Sequence, residues 1–268
     1  MPDRLAGKTV IVTGAGNGVG QAVAVRFAQS AARVLLVGAD DAQLEQTLAT
    51  IREDDGEATA FACDATTMLG AKNVVAAAVD AYDRVDVLVN AEREVIGGAA
   101  LETGPERLTE AFDANVRSAF QITQVAAKRM IAQAEEDGEP GRGGSVVNLT
   151  SIAARRTLPE LMHYSVACAA LDQLTRSMAV ALAPHRIRVN AVALGAVMTA
   201  SLREALRERA ELREELTRVT PLGRIADVTE AAEAALFLAS DAASFVTGQI
   251  LTVDGGRANL DPLATPAL

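Results

Sequence analysis

Seven short apolar runs, rich in β-branched residues, recur along this chain at 8–12, 33–37, 58–61, 85–89, 145–149, 187–192 and 249–253. Helical segments separate them. Residues 18 to about 30, 68–82, 105–133, 164 to about 184, and 228–239 carry the clearest helical pattern. Strands alternating with helices predict a parallel sheet covered on both faces. The strands read as continuous apolar runs, as doubly buried strands should. No internal repeat and no linker interrupts the pattern. The expectation is an α/β chain with one domain over 1–268, a core at 7–256 and an aperiodic tail at 257–268. Its sheet is doubly wound and parallel, with about seven strands and helices on both faces.

Composition narrows the function classes. Half of the 268 residues are hydrophobic and 22% are charged, enough for a large core and against global disorder. A net charge of −10 without a basic cluster disfavours nucleic acid or an anionic membrane as partner. With 3% aromatic residues and no Trp there is no stacking platform for bases. Residues 1–5 lack an apolar signal core, and no stretch approaches the roughly 18 apolar residues a membrane span needs. Cys63 and Cys168 make a poor disulfide framework, so a reducing cytoplasmic location is expected, and no metal site is.

The first strand runs directly into Thr13-Gly14-Ala15-Gly16-Asn17-Gly18-Val19-Gly20, and a helix follows. Backbone N–H groups and the helix dipole at such a junction favour a pyrophosphate, and glycine lets the two backbones approach. Alone, Gly14-x-x-x-Gly18-x-Gly20 is a weak pattern, since glycines also mark ordinary turns. Between first strand and first helix it favours a dinucleotide, with Gly14, Asn17, Gly18, Val19 and Gly20 as its cradle. An acid at the end of the second strand would bond a ribose 2′-hydroxyl, and a basic side chain there would accept a 2′-phosphate. That strand ends in Gly38-Ala39, with Asp40 and Asp41 slightly late. Asp40 either reaches a ribose and favours NAD over NADP, or caps the helix beginning near Ala42.

A second stretch carries the chemistry. The strand at 145–149 leads to a hydroxyl at Ser151, and a helix marked by Val166, Ala169, Ala170 and Leu174 carries a phenol at Tyr164. Cys168 lies one turn beyond Tyr164 on the same face.

Taken together these motifs resemble the short-chain dehydrogenase/reductase family from Gly7 to Gly256, which implies a single Rossmann-like domain. Thr13 to Gly20 is similar to its Thr-Gly-x-x-x-Gly-x-Gly loop. Pro221-Leu222-Gly223-Arg224 and the segments Phe245 to Gln249 and Val253 to Gly256 also match. The resemblance implies that Asp64 contacts adenine, that Asn90 belongs to the cofactor site, and that Asn115 is a structural and proton-relay residue. It implies that Ser151 and Tyr164 polarise the carbonyl of a small-molecule substrate, and that the chain pairs into dimers or tetramers through 105–133 and 164–183.

Four positions depart from the family pattern. Asn-Asn-Ala-Gly is here Asn90-Ala91-Glu92-Arg93, Pro-Gly is Leu194-Gly195, the ribose reader is missing at Gly38-Ala39, and Tyr-x-x-x-Lys is Tyr164-x-x-x-Cys168. In the family the lysine binds the nicotinamide ribose and lowers the tyrosine pKa from about 10. A thiol, uncharged below its pKa of about 8.5, supplies neither function. The resemblance therefore implies an atypical NAD(P)-linked oxidoreductase of carbonyls or alcohols. Its alternatives are an inactive subunit supporting an active homologue, or non-redox chemistry in a retained Ser151–Tyr164 pocket.

Ordinary readings compete at several residues. A helical Cys168 is more often a small core residue than a nucleophile. His163 points about 100° from Tyr164 and is expected at the surface or rim. His185, after Pro184, fits a turn. Arg93, Arg155 and Arg156 are candidates for a replacement cation, with solvated charge the favoured reading for Arg155 and Arg156. The alternating charges of 201–218 describe a solvated helical face.

Overall fold

Every residue of Thr9–Thr13 is buried, as befits a strand covered on both faces. The computed structural model describes residues 4–138 and 143–261. It contains β1 (Thr9–Thr13), β2 (Arg33–Gly38), β3 (Glu57–Ala62), β4 (Val87–Asn90), β5 (Gly144–Ser151), β6 (Ile187–Leu194) and β7 (Ile250–Val253). All pairs are parallel, and the seven strands run in the order β3-β2-β1-β4-β5-β6-β7. This is the expected doubly wound sheet. The chain's path reverses between β1 and β4, and ligand crevices in such sheets lie at the carboxyl ends of the strands flanking that reversal.

The helices are α1 (Gly18–Ala28), α2 (Asp41–Glu53), α3 (Met68–Tyr82), α4 (Pro105–Phe112), α5 (Ser118–Glu136), α6 (Met162–Leu182), α7 (Ala200–Glu208), α8 (Glu211–Arg218) and α9 (Val228–Ala239). Alternation along β1 divides the core. Val10 and Val12 pack with Phe27 of α1, Leu44 of α2 and Leu236 of α9. Ile11 packs on the opposite face with Val74 of α3 and Ile122 and Met130 of α5.

Three boundaries differ from the periodicity. The helix expected at 105–133 is broken by a π turn, Asp113–Arg117, and then continues to Glu136. The fourth strand starts at Val87 rather than at 85. The Val85 N–H donates to Gln133 Oε1 at 3.0 Å, and its carbonyl accepts from Gln133 Nε2 at 2.6 Å, so a side chain takes the place of a ladder. The charged segment forms two helices, α7 and α8, separated at Arg209 and Ala210. The polar loop expected near 135–141 and the end of the tail fall partly outside the described residues.

One helical stretch, Pro159–His185, is long and apolar enough by length and composition to cross a membrane, contrary to the sequence expectation. It packs on β5 and β6 and carries a buried Asp172, as a helix covering a sheet can. Polar side chains also bind the sheet internally. Asn90 Nδ2 donates to Asn148 Oδ1 at 2.7 Å and to Thr123 Oγ1 at 3.1 Å, and Asn148 Nδ2 donates to Thr175 Oγ1 at 2.9 Å. These buried amides tie β4, β5, α5 and α6 together below the crevice.

Candidate active site

A cavity of about 470 Å3 opens above the carboxyl ends of β1 and β4. Its walls are the glycine loop, the edge formed by Gly38, Ala39 and Asp40, and the side chains of Glu92, Arg93, Val95, Leu149 and Leu194. Two observations explain the glycines. Gly14 has φ +61°, and a Cβ there would lie 2.8 Å from the Glu92 backbone. A Cβ on Gly20 would strike the Gly14 carbonyl, so the turn into α1 closes only without one. Asn17, at the head of α1, makes no side-chain cap and donates instead to Gln43 Oε1 at 2.7 Å. An uncapped helix start behind a tight glycine turn is a cradle of the right chemistry for a pyrophosphate.

The hydroxyl pair is built by β5 and α6. Ser151 ends the strand, where its Oγ accepts from the Ala153 N–H at 3.2 Å and donates to the Leu194 carbonyl at 3.4 Å. Tyr164, in the first turn of α6, is 4% exposed and packs with Ala153 and Cys168. Burial pushes its phenol up to about 12; the Arg93 guanidinium pulls the other way, Cys168 adds to the rise, and a hydrogen bond with Ser151 lowers it. The Cys168 thiol is itself pushed up, chiefly by burial. Both groups are therefore neutral at pH 7.

Arg93 reaches the phenol from the loop after β4, with Nη1 donating to the Tyr164 hydroxyl at 3.3 Å. That loop is clamped on both sides of Arg93. Thr13 Oγ1 accepts from Ala91 N at 3.1 Å and from Glu92 N at 3.3 Å. Asn115 Oδ1 accepts from Glu94 N at 3.0 Å, while its Nδ2 donates to the Glu94 and Ala111 carbonyls at 2.9 and 3.0 Å. Next to Arg93, the half-buried Glu92 carboxyl is pushed up by burial and then by the Asp64 carboxylate.

The family described as Enoyl-(Acyl carrier protein) reductase matches residues 14–258. The chain belongs to the short-chain dehydrogenase/reductase family. It is 38% identical over 256 residues to an L-rhamnose 1-dehydrogenase (NAD(P)(+)) of Azotobacter vinelandii, covering 93% of this chain and 96% of that protein. A 7alpha-hydroxysteroid dehydrogenase of Escherichia coli K12 is 34% identical over 255 residues, covering 94% of this chain and 95% of the relative. Among solved structures, a 7 alpha-hydroxysteroid dehydrogenase complexed with NADH and 7-oxo glycochenodeoxycholic acid superposes with a TM-score of 0.88 at 32% identity, covering 95% and 96% of the two chains. A putative 2-deoxy-D-gluconate 3-dehydrogenase from Agrobacterium tumefaciens with bound NADP gives 0.86 at 34% identity, covering 97% and 99%.

On this short-chain dehydrogenase/reductase scaffold, Gly14, Asn17, Gly18, Val19, Gly20 and Asp40 all line the cavity. Asp40 takes the capping role, its Oδ1 accepting from the Gln43 N–H at 3.1 Å at the start of α2. Asp64 and Asn90 lie outside the lining. The Asp64 carboxylate accepts from the Thr66 N–H at 2.9 Å and hydroxyl at 2.6 Å, and the Asn90 amide is turned into the sheet. Asn115 is committed to the protein backbone rather than pointing freely into the cavity.

His163 is a correction to the rim position expected from helical rotation. It is buried, with Nε2 3.2 Å from Thr103 Oγ1, because the 99–103 turn covers the start of α6. Arg156 binds the carbonyls of Ala258 and Leu260, bracing the segment after β7, and Arg155 is exposed. His185 closes a turn after α6, as expected. Thr199 and Ser201, which sequence reading did not single out, complete the lining; the only local signal was Thr199 as the N-cap of α7.

Proposed function

We propose that this chain is an NAD(P)-linked oxidoreductase acting on a carbonyl or alcohol of a small molecule, with altered catalysis at the tyrosine. The observation that carries this reading is the single cavity that joins the glycine cradle to Arg93 and Leu194, beside the Ser151–Tyr164 pair. A bound nicotinamide dinucleotide would supply or take up the hydride. Ser151 would hold the substrate oxygen. Tyr164, neutral at pH 7, would donate its proton to that oxygen during reduction and recover it during oxidation. Asn115 would act indirectly, by holding the loop that carries Arg93.

Alteration is expected because residue 168 is a buried thiol rather than a cation. A phenol with a raised pKa is a weaker acid and, at neutral pH, a rarer phenolate base, so turnover should be slowed in both directions. NAD is favoured over NADP, because Asp40 sets negative charge just after the second strand, where a 2′-phosphate would be repelled. A cytoplasmic location belongs to the same reading, supported by two unpaired cysteines.

Pairing through α5 and α6, with a second copy or an active relative, is supported by exposed Phe120, Val166 and Val180 on those helices. Sedimentation of the purified chain, alone and with a lysine-containing relative, tests it.

The first experiment titrates the protein with NADH and NADPH separately, by cofactor fluorescence and calorimetry, beside the Cys168→Lys variant. Micromolar binding followed by turnover of a carbonyl substrate supports the reading. No binding up to millimolar, with affinity regained in the variant, overturns it and leaves the supporting-subunit role.

A further inference from the structure

We propose that Arg93 is the cation that serves Tyr164 in this chain, donating from Nη1 to the phenol oxygen from the loop after β4. The proposal deepens the oxidoreductase reading and rests on it for its functional consequence. Three observations support it.

The first is contact. Arg93 Nη1 lies 3.3 Å from the Tyr164 hydroxyl, in hydrogen-bonding geometry, although the two residues are 71 apart in sequence. The groups facing the phenol are Arg93 from the loop after β4, Cys168 from its own helix, and Ser151 from β5; Arg93 is the one cation among them.

The second is construction. An exposed arginine on a free loop would be an accidental neighbour, but this loop is held at residues 91 and 92 by Thr13 and at residue 94 by Asn115. Asn115 is buried in the π turn Asp113–Arg117, so the clamp is part of the core. Arg93 sits between the two clamps, and its backbone is positioned from both sides.

The third is exclusion. Arg156 is committed to the Ala258 and Leu260 carbonyls, and neither Arg155 nor Arg156 is among the groups that act on the phenol. In reduction, the phenol O–H bond breaks as its proton passes to the substrate oxygen. The tyrosinate left behind then faces the guanidinium, whose positive charge stabilises it. Arg93 thus acts through Tyr164, as an electrostatic positioning residue rather than a proton donor.

The chain has two tyrosines, Tyr82 and Tyr164, so the Tyr82→Phe protein carries Tyr164 alone. Labelling that protein with 3,5-difluorotyrosine, an intrinsically more acidic phenol, brings its ionisation into a pH range where the fold persists. The midpoint is then read by fluorine NMR without any activity assay. Arg93→Gln should raise the midpoint by about one pH unit, the low end for a nearby opposite charge because Arg93 is exposed. Arg93→Lys should recover part of the shift. An unchanged or lowered midpoint in Arg93→Gln overturns the proposal. If instead the midpoint moves as expected while no carbonyl substrate turns over, the Arg93–Tyr164 relationship stands and the oxidoreductase reading fails. Where turnover is found, its pH profile should move with the NMR midpoint in the same variants; a profile that stays in place overturns the functional consequence.

Discussion

Asn115 holds Glu94 at both ends of its backbone, accepting from the amide at 3.0 Å and donating to the carbonyl at 2.9 Å. The same amide nitrogen also donates to the Ala111 carbonyl, so a single buried side chain joins the π turn to the loop that carries Arg93. Asn115→Leu keeps the volume and removes every one of these bonds. Its unfolding free energy in urea should fall by about 1–3 kcal/mol, the cost of leaving such groups unpaired. Fluorine NMR of Tyr164 should also show loss of the Arg93 contact.

Alkaline stability should report the buried phenol. Tyr164 titrates near 12 in the fold against about 10 in the unfolded chain, so its contribution is fully present below pH 10 and is lost as pH rises towards 12. A rise of that size corresponds to at most about 3 kcal/mol. Tyr82 is also raised, chiefly by burial, and adds in the same direction. Urea midpoints at pH 8 and pH 11 should therefore fall further for the natural chain than for Tyr164→Phe. Equal slopes would show that the phenol is not buried as described.

Thiol chemistry should separate the two cysteines. Cys63 is partly exposed and Cys168 is buried, and burial raises the pKa of both. Iodoacetamide at neutral pH should modify Cys63 first, with Cys168 slower by at least roughly tenfold until the chain unfolds. Peptide mapping by mass spectrometry reads the order. Faster reaction at Cys168 would revive a nucleophilic role for it.

Glu92 should oppose an anionic dinucleotide at neutral pH. Its folded pKa is raised, so any stability from the protonated carboxyl is present below its ordinary value of 4.5 and is lost as pH rises through the folded pKa. Where it is ionised, the group is a half-buried negative charge on the cavity wall. Glu92→Gln should tighten NADH binding several-fold, and binding to the natural chain should strengthen as pH falls towards the raised folded pKa of Glu92. Calorimetry across that pH range checks each outcome.

Gly20→Ala should fail for a steric reason rather than an electrostatic one. The added methyl would meet the Gly14 carbonyl, and neither backbone can move without opening the turn into α1. A stability loss of at least about 1–3 kcal/mol is expected, with cofactor affinity lost alongside. Thermal melts and NADH titration of the same variant test both.

Much of this molecule is legible in local pattern. The seven apolar runs, the Gly14–Gly20 loop and helices such as Met68–Tyr82 and Val228–Ala239 depend on residues close in sequence, whose spacing states their conformation. The same locality explains what pattern missed. Val85 looks like strand, yet its backbone bonds Gln133, 48 residues away. His163 looks like a rim residue by rotation about its own helix, yet the Thr103 turn covers it.

The site divides in the same way. Sequence by itself determined the sheet class, the glycine cradle, the Ser151–Tyr164 hydroxyl pair and the thiol at position 168. Only tertiary structure decided that Arg93 meets Tyr164, that Asn115 holds the intervening loop, and that Asn90 turns into the sheet. Those facts depend on β4 lying between β1 and β5, which places the loop after β4 against both Thr13 and α6. Contacts across 71 and 78 residues are set by strand order and side-chain direction, and no periodicity along the chain encodes either.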